Sequence, residues 1–160
     1  MYLVEVGLMA KADYKRTRKG ERGASLVEFS IAATVFLIAM FAVLEFGRAL
    51  WVHNALTDAA RRGARYAVLH DPSKADNVKN VVVYADPAGG TTPVVDNLNT
   101  TNVTVAYSGY GLDTGTVSVS ITGYQFQFVL PVGVTSIQMP NYTTTLMAEC
   151  AGTGECAGQP

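Results

Sequence analysis

Few residues in this chain are of the types that do covalent chemistry, and their spacing limits what they can do. Cys150 and Cys156 are its only cysteines, and they bracket the small, Gly-rich loop Ala-Gly-Thr-Gly-Glu. Such a loop accommodates a disulfide without strain, and a loop so short places the stabilisation at the low end of the usual range. A metal pair would need further ligands, and neither His53 nor His70 has a second ligand nearby in sequence. No G-x-S-x-G, Cys/His nucleophile arrangement, H-E-x-x-H or phosphate loop is present. The acids of the C-terminal half are scattered through turn-like segments, where Asp serves the backbone. The expectation is no enzyme, no metal and no cofactor. One pattern remains, Arg22-Gly23-Ala24-Ser25-Leu26-Val27-Glu28: a small Gly between a basic stretch and an apolar run, with a carboxylate five residues later.

The elements that position these residues follow from charge and hydropathy. Of 160 residues, 49% are hydrophobic and 16% charged, against roughly 25% charged in an ordinary soluble domain. This excludes a disordered chain, a basic nucleic-acid-binding protein and a multidomain enzyme. The net charge of −1 averages two unlike parts. Six bases and three acids give residues 1–23 a charge of +3, and six bases and ten acids leave the other 137 residues at −4. Met1 to Leu8 is apolar and unlike the basic stretch after it, so Met9 is an alternative start.

Ala24 to Leu44 is 21 residues with Glu28 as its only charge. As a helix it is roughly 31 Å long, about the thickness of a bilayer core. It is long for a core helix of a soluble protein. It is also too long for the apolar region of a secretory signal, and no A-x-A cleavage site follows. The bases before it predict an N-terminus held in the cytoplasm and a chain outside the cytoplasmic membrane after Leu44. Outside the cytoplasm, a lone Cys pair reads as the disulfide Cys150–Cys156.

The Gly23 boundary with Glu28 resembles the class III signal cut by prepilin peptidases. The resemblance implies cleavage between Gly23 and Ala24, with Glu28 as the fifth residue of the mature chain. A carboxylate within a bilayer costs a few kcal/mol. Two readings of Glu28 stand: pairing with the new α-amino group of Ala24 on a neighbouring subunit, or an early-turn acid reaching the cytoplasmic interface and the helix dipole.

No breaker follows Leu44. Glu45 to Leu69 continues as an amphipathic stalk and stops before His70-Asp71-Pro72. Ala24 to Leu69 is then roughly 69 Å of helix. Ala49, Val52, Leu56, Ala60, Gly63 and Ala67 share one face, with Ala59 beside it, while Arg48, Asp58, Arg62 and Arg65 gather opposite as a solvated or partner-facing side. Glu45 can pair with Arg48, and Asp58 with Arg61 or Arg62. The small residues admit a close backbone, either this chain's own sheet or a neighbouring helix. Nucleic acid is not expected as a partner.

Glu28-Phe29, Glu45-Phe46-Gly47-Arg48 and Ala59-Ala60-Arg61-Arg62-Gly63-Ala64-Arg65-Tyr66-Ala67 resemble the TadE-like family, minor pseudopilins of the Tad (tight adherence, Flp pilus) system. The resemblance covers residues 23–70. It departs at Thr34, where many relatives have Pro, and at Arg62, where many have Glu or Gln. It implies a pilus-assembly role in adhesion. The partners it implies are the cytoplasmic membrane, a prepilin peptidase, other Tad pilins or pseudopilins and the assembly platform. The alternative from a different class is an uncleaved, signal-anchored binding protein of the cell envelope.

In the C-terminal part, Ser73 is expected to cap a short helix over Lys74 to Tyr84, ended by Asp86-Pro87-Ala88-Gly89-Gly90. Alternation at Val103, Val105 and Tyr107 and at Val117, Val119 and Ile121 predicts two strands, with a turn over Ser108 to Gly115. A third strand is expected from Tyr142 to Glu149. The stretch Tyr124 to Val134 is either a core-filling strand or a loop touching the membrane interface or a pilus partner. The predicted fold is α+β, a long transmembrane-plus-stalk helix packed on a small antiparallel β-sheet, a type IV pilin-like architecture. Its parts are a leader (1–23), a transmembrane helix (24–44), a stalk (45–70) and an outer domain (71–160).

Overall fold

A computed structural model describes residues 18–109, 115–129 and 135–147, with side chains from Gly23 onward. Helix α1 spans Arg18–Val68. No proline interrupts this stretch; the first in the chain is Pro72. The chain divides into two compact units, Met1–Leu44 and Glu45–Pro160.

In the first unit, α1 buries almost nothing. Leu26, Phe29, Val35, Phe36 and Val43 are exposed, Phe29 to 71%. A helix apolar all round, with no cover of its own, belongs in lipid or in an assembly. Two of its three hydroxyls bond the helix backbone: Ser30 Oγ donates to the Leu26 carbonyl at 2.7 Å and Thr34 Oγ1 to the Ser30 carbonyl at 2.8 Å. This back-bonding hides polar groups that hydrocarbon would not solvate.

The second unit contains the rest of α1, helix α2 (Ala75–Tyr84), and strands β1 (Val103–Ser108), β2 (Thr116–Ile121), β3 (Gln125–Gln127), β4 (Ser136–Gln138) and β5 (Tyr142–Met147). β1, β2 and β5 form an antiparallel sheet in that spatial order, and β3 and β4 form a separate antiparallel pair. β2 is central, with Val119 opposite both Val105 and Thr144. Alternation then does its work. Val117, Val119 and Ile121 point inward and are wholly buried. On the other face Ser120 bonds Thr143 at 2.9 Å and Thr145 bonds Ser118 at 3.1 Å. The inner face packs with Val52, Leu56, Ala59, Ala60, Ala64 and Ala67 of α1 and with Val78, Val82 and Val83 of α2 in one core. The arrangement is the expected α+β one, a long helix with an apolar N-terminal part packed against a small antiparallel sheet.

Several local expectations need correction. Ser73 is not a cap: Asp71 accepts a bond from the Ser73 amide at 2.8 Å and opens a 3-10 turn at Pro72–Lys74. Asp in this place reaches its own backbone two residues on, whereas α2, starting at Ala75, has no side-chain cap. The helix ends at Tyr84, as expected, with Ala85 as its C-cap in the left-handed region at φ 61°. The stretch before β1 contributes to the core. Val95 and Leu98 there are 1% exposed and complete the core. The segment Tyr124 to Val129 follows the core-filling reading at its start, because Tyr124 and Phe126 are buried. It forms a hairpin with a strand at Ser136–Gln138 that periodicity did not reveal. β5 is described to Met147, so Ala148 and Glu149 lie outside the described residues, as do Cys150 and Cys156.

Candidate functional site

Gly23, Ala24 and Glu28 all lie within α1, which starts five residues before Gly23, so the basic-to-apolar boundary is not a structural boundary. All three are exposed. Among the described residues, beyond its chain neighbours and the helix backbone, nothing lies within 4 Å of where a Cβ on Gly23 would stand. The Gly23–Ala24 peptide bond is helical, and a peptidase would have to unwind a turn to extend it.

The packing face of the stalk is spent within its own unit. Val52, Leu56, Ala60 and Ala67 are at most 4% exposed, Gly63 is buried and Ala49 is half-buried. Between the two partners open at the sequence level, own sheet or neighbouring helix, the structure selects the chain's own core. A Cβ on Gly63 would overlap Val82 Cγ2 of α2 and touch Val119 Cγ1 of β2 at 3.4 Å. At Gly63 the helix meets both α2 and the sheet.

The opposite face is not uniformly solvated. Arg61 and Arg65 are exposed, and Arg61 pairs loosely with Asp58 at 3.8 Å. Arg62 instead leans on α2, with Nε donating to the Val81 carbonyl at 3.3 Å. One of its terminal nitrogens is buried without a hydrogen-bond partner. Arg48 is half-buried and belongs to a clamp. Its guanidinium bonds Glu45 Oε2 at 2.8 Å, donates to the Gln127 carbonyl of β3, and lies 4.2 Å from the Phe126 ring centroid. The other Glu45 oxygen accepts the Val129 amide at 3.3 Å. Sequence reasoning found the Glu45–Arg48 pair through its i,i+3 spacing. It missed the β3 end, about 80 residues away.

Two histidines serve structure. His53 Nδ1 and the Tyr142 hydroxyl are 2.9 Å apart, joining α1 to β5, and His70 stacks on Tyr66 with 3.9 Å between centroids. Burial pushes the Tyr107, Tyr124 and Tyr142 phenols above the usual value of 10.0. Asp71 adds to this at Tyr107; at Tyr124 Asp96 adds and Arg48 opposes. Among the described residues no three His, Cys, Asp or Glu side chains converge as a metal site would require. An open depression of about 280 Å³ is lined by Asp76, Lys79, Asn80, Thr100 and Thr101, where Lys79 is already bonded to Asp76 at 2.9 Å.

The class these features define is an α+β protein with one N-terminal helix long and apolar enough to cross a membrane, none of whose most apolar stretch is buried. Residues 23–65 match the family model of TadE-like proteins, the family that the motifs of the helix resemble. The match begins at Gly23 and ends at Arg65, before α2 and the strands. No curated protein and no solved structure matches the chain. The family match and the apolar helix together fit a Tad-pilus-associated membrane protein.

Proposed function

We propose that the chain is a membrane-anchored minor pseudopilin that assists assembly of Tad/Flp-type pili in surface attachment. A prepilin peptidase removes residues 1–23 by cutting between Gly23 and Ala24. The observation that carries the reading is the TadE-like match starting at Gly23 and running through the apolar helix into the stalk. The mature N-terminus stays at the cytoplasmic face of the inner membrane, α1 crosses once, and the β-domain lies outside, where it meets other pilins or pseudopilins and the assembly platform. The face from Ala49 to Ala67 serves assembly indirectly, by seating the β-domain on the stalk. A disulfide between Cys150 and Cys156 belongs to the same reading, since the pair would lie outside the cytoplasm.

Glu28 is given the pairing role. Its exposed position in an otherwise apolar stretch supports a partner supplied by another subunit, the Ala24 α-amino group that cleavage creates. Mass spectrometry of the membrane-extracted protein, with and without the peptidase, tests the reading. A chain starting at Ala24 only in the presence of the peptidase is expected, and Gly23→Ala should block the cut. A full-length chain under both conditions would overturn processing and leave the uncleaved, signal-anchored binding protein. A Glu28→Val chain that still assembles normally would remove the pairing role.

A further inference from the structure

The first turns of the second unit carry an apolar surface that its core does not use. Phe46 is 66% exposed, Leu50 48% and Trp51 59%. Successive helix residues are about 100° apart, so Phe46, Leu50 and Trp51 share one arc of roughly 140° on the side of the helix away from the core-facing Glu45–Ala49–Val52 face. From His53 to the end of α1 at Val68, the exposed positions are polar: His53, Asn54, Asp58, Arg61 and Arg65. This arc continues the exposed apolar run that includes Val43 and Leu44 and gives way to polar residues within one turn after Trp51, as at a solvent boundary. Beside them, Val129 is 72% exposed, and its amide is held by Glu45.

Charge at this level is compensated. Glu45, with a side chain 15% exposed, gives one oxygen to Arg48 and the other to Val129, and Arg48 also serves the Gln127 carbonyl. No unpaired charge stands between Leu44 and His53, as a layer of reduced dielectric requires. Trp51 is seven residues beyond Leu44, about 10 Å along a helix. The headgroup layer adds roughly 5–8 Å on each side of a hydrocarbon core of about 30 Å, so Phe46, two residues beyond Leu44, stands within it and Trp51 at its outer edge, in the interface where Trp is enriched.

We propose that Phe46, Leu50, Trp51 and Val129 form a docking surface for the headgroup layer of a phospholipid bilayer, so that the β-domain rests on lipid at the end marked by the Glu45–Arg48 clamp. The proposal rests on the membrane-anchored reading above.

Trp51 is the only tryptophan of the chain, so its fluorescence reports this surface without substitution. The full chain is reconstituted into phosphatidylcholine–phosphatidylglycerol vesicles at high lipid-to-protein ratio, and insertion is read independently by flotation. Lipids brominated near the top of the acyl chain should quench Trp51. Quenching by aqueous iodide should be several-fold weaker than for N-acetyltryptophanamide. A chain that floats while Trp51 is open to iodide and untouched by brominated lipid overturns the docking and leaves the membrane reading intact. Protection from both quenchers means a protein surface covers Trp51, and overturns the lipid assignment. A chain that does not float overturns the membrane reading and the docking with it. As a second arm, Val129→Cys in a Cys150→Ser, Cys156→Ser background carries a polarity-sensitive fluorophore, with Thr143→Cys as the exposed control. A blue shift on adding vesicles at 129 only is expected, and equal emission at both sites excludes Val129 from the surface.

Discussion

Gly63 of α1 lies directly against Val82 of α2, so closely that a Cβ on Gly63 would overlap Val82 Cγ2. Val82 and Val119, the two side chains in reach, are both wholly buried. The glycine is needed here for proximity: a helix, a second helix and a sheet meet where only a hydrogen fits.

Gly63→Ala should therefore destabilise. Helix propensity alone would favour Ala by about 1 kcal/mol, but overpacking a tight core costs about 1–3 kcal/mol, and steric overlap with a β-branched neighbour places the cost at the upper end. A net loss of about 1–2 kcal/mol is expected. Gly47→Ala is the control, because nothing lies within 4 Å of its added Cβ; it should gain about 0.5–1 kcal/mol. Denaturant melts of the full chain in detergent, followed by the loss of β-domain structure, read both.

Arg48→Ala should cost about 1–3 kcal/mol, because it strips a half-buried Glu45 of its cation and uncovers the Phe126 ring. Arg61→Ala, whose partner Asp58 is 73% exposed, should change stability by less than about 0.5 kcal/mol. Equal effects in the same melts would contradict the clamp.

Arg62→Met should be neutral or stabilising, by up to about 1 kcal/mol. It keeps the apolar stem and removes a buried nitrogen that has no hydrogen-bond partner. The Val81 carbonyl that Arg62 meets is already bonded by the Ala85 amide at 3.1 Å, so the substitution leaves no acceptor orphaned. A clear loss of stability on chemical denaturation would contradict this.

Alkaline pH should destabilise the second unit. The Tyr107, Tyr124 and Tyr142 phenols are held above 10.0, chiefly by burial. Below 10.0 both folded and unfolded chains keep these protons, and the contribution to stability is complete. As pH rises past 10.0 the unfolded chain loses protons first, so stability falls until the raised folded values are passed. Phenolate absorbance should show these three of the eight tyrosines titrating late, together with loss of structure.

Sequence and structure divide the explanation according to the range of the forces involved. The long helix, its apolar first part and the face from Val52 to Ala67 were legible in the sequence, because helix periodicity, hydropathy and the absence of proline act within a few turns. The alternation of β1 and β2 was legible for the same reason. Arg48 and Arg62 look alike as charged residues across from the small face. Only the packed domain separates them from Arg61 and Arg65, because their partners, the β3 end and the α2 carbonyl, come from far along the chain. Val95 and Leu98 had no periodicity to expose them; they are buried because the rest of the core leaves space that only they fill. The apolar, singly charged stretch after a basic segment follows from composition along one segment. Which surface the core consumes, and that Phe46, Leu50, Trp51 and Val129 are left over, follows from tertiary packing, since burial is a property of neighbours and not of residue type.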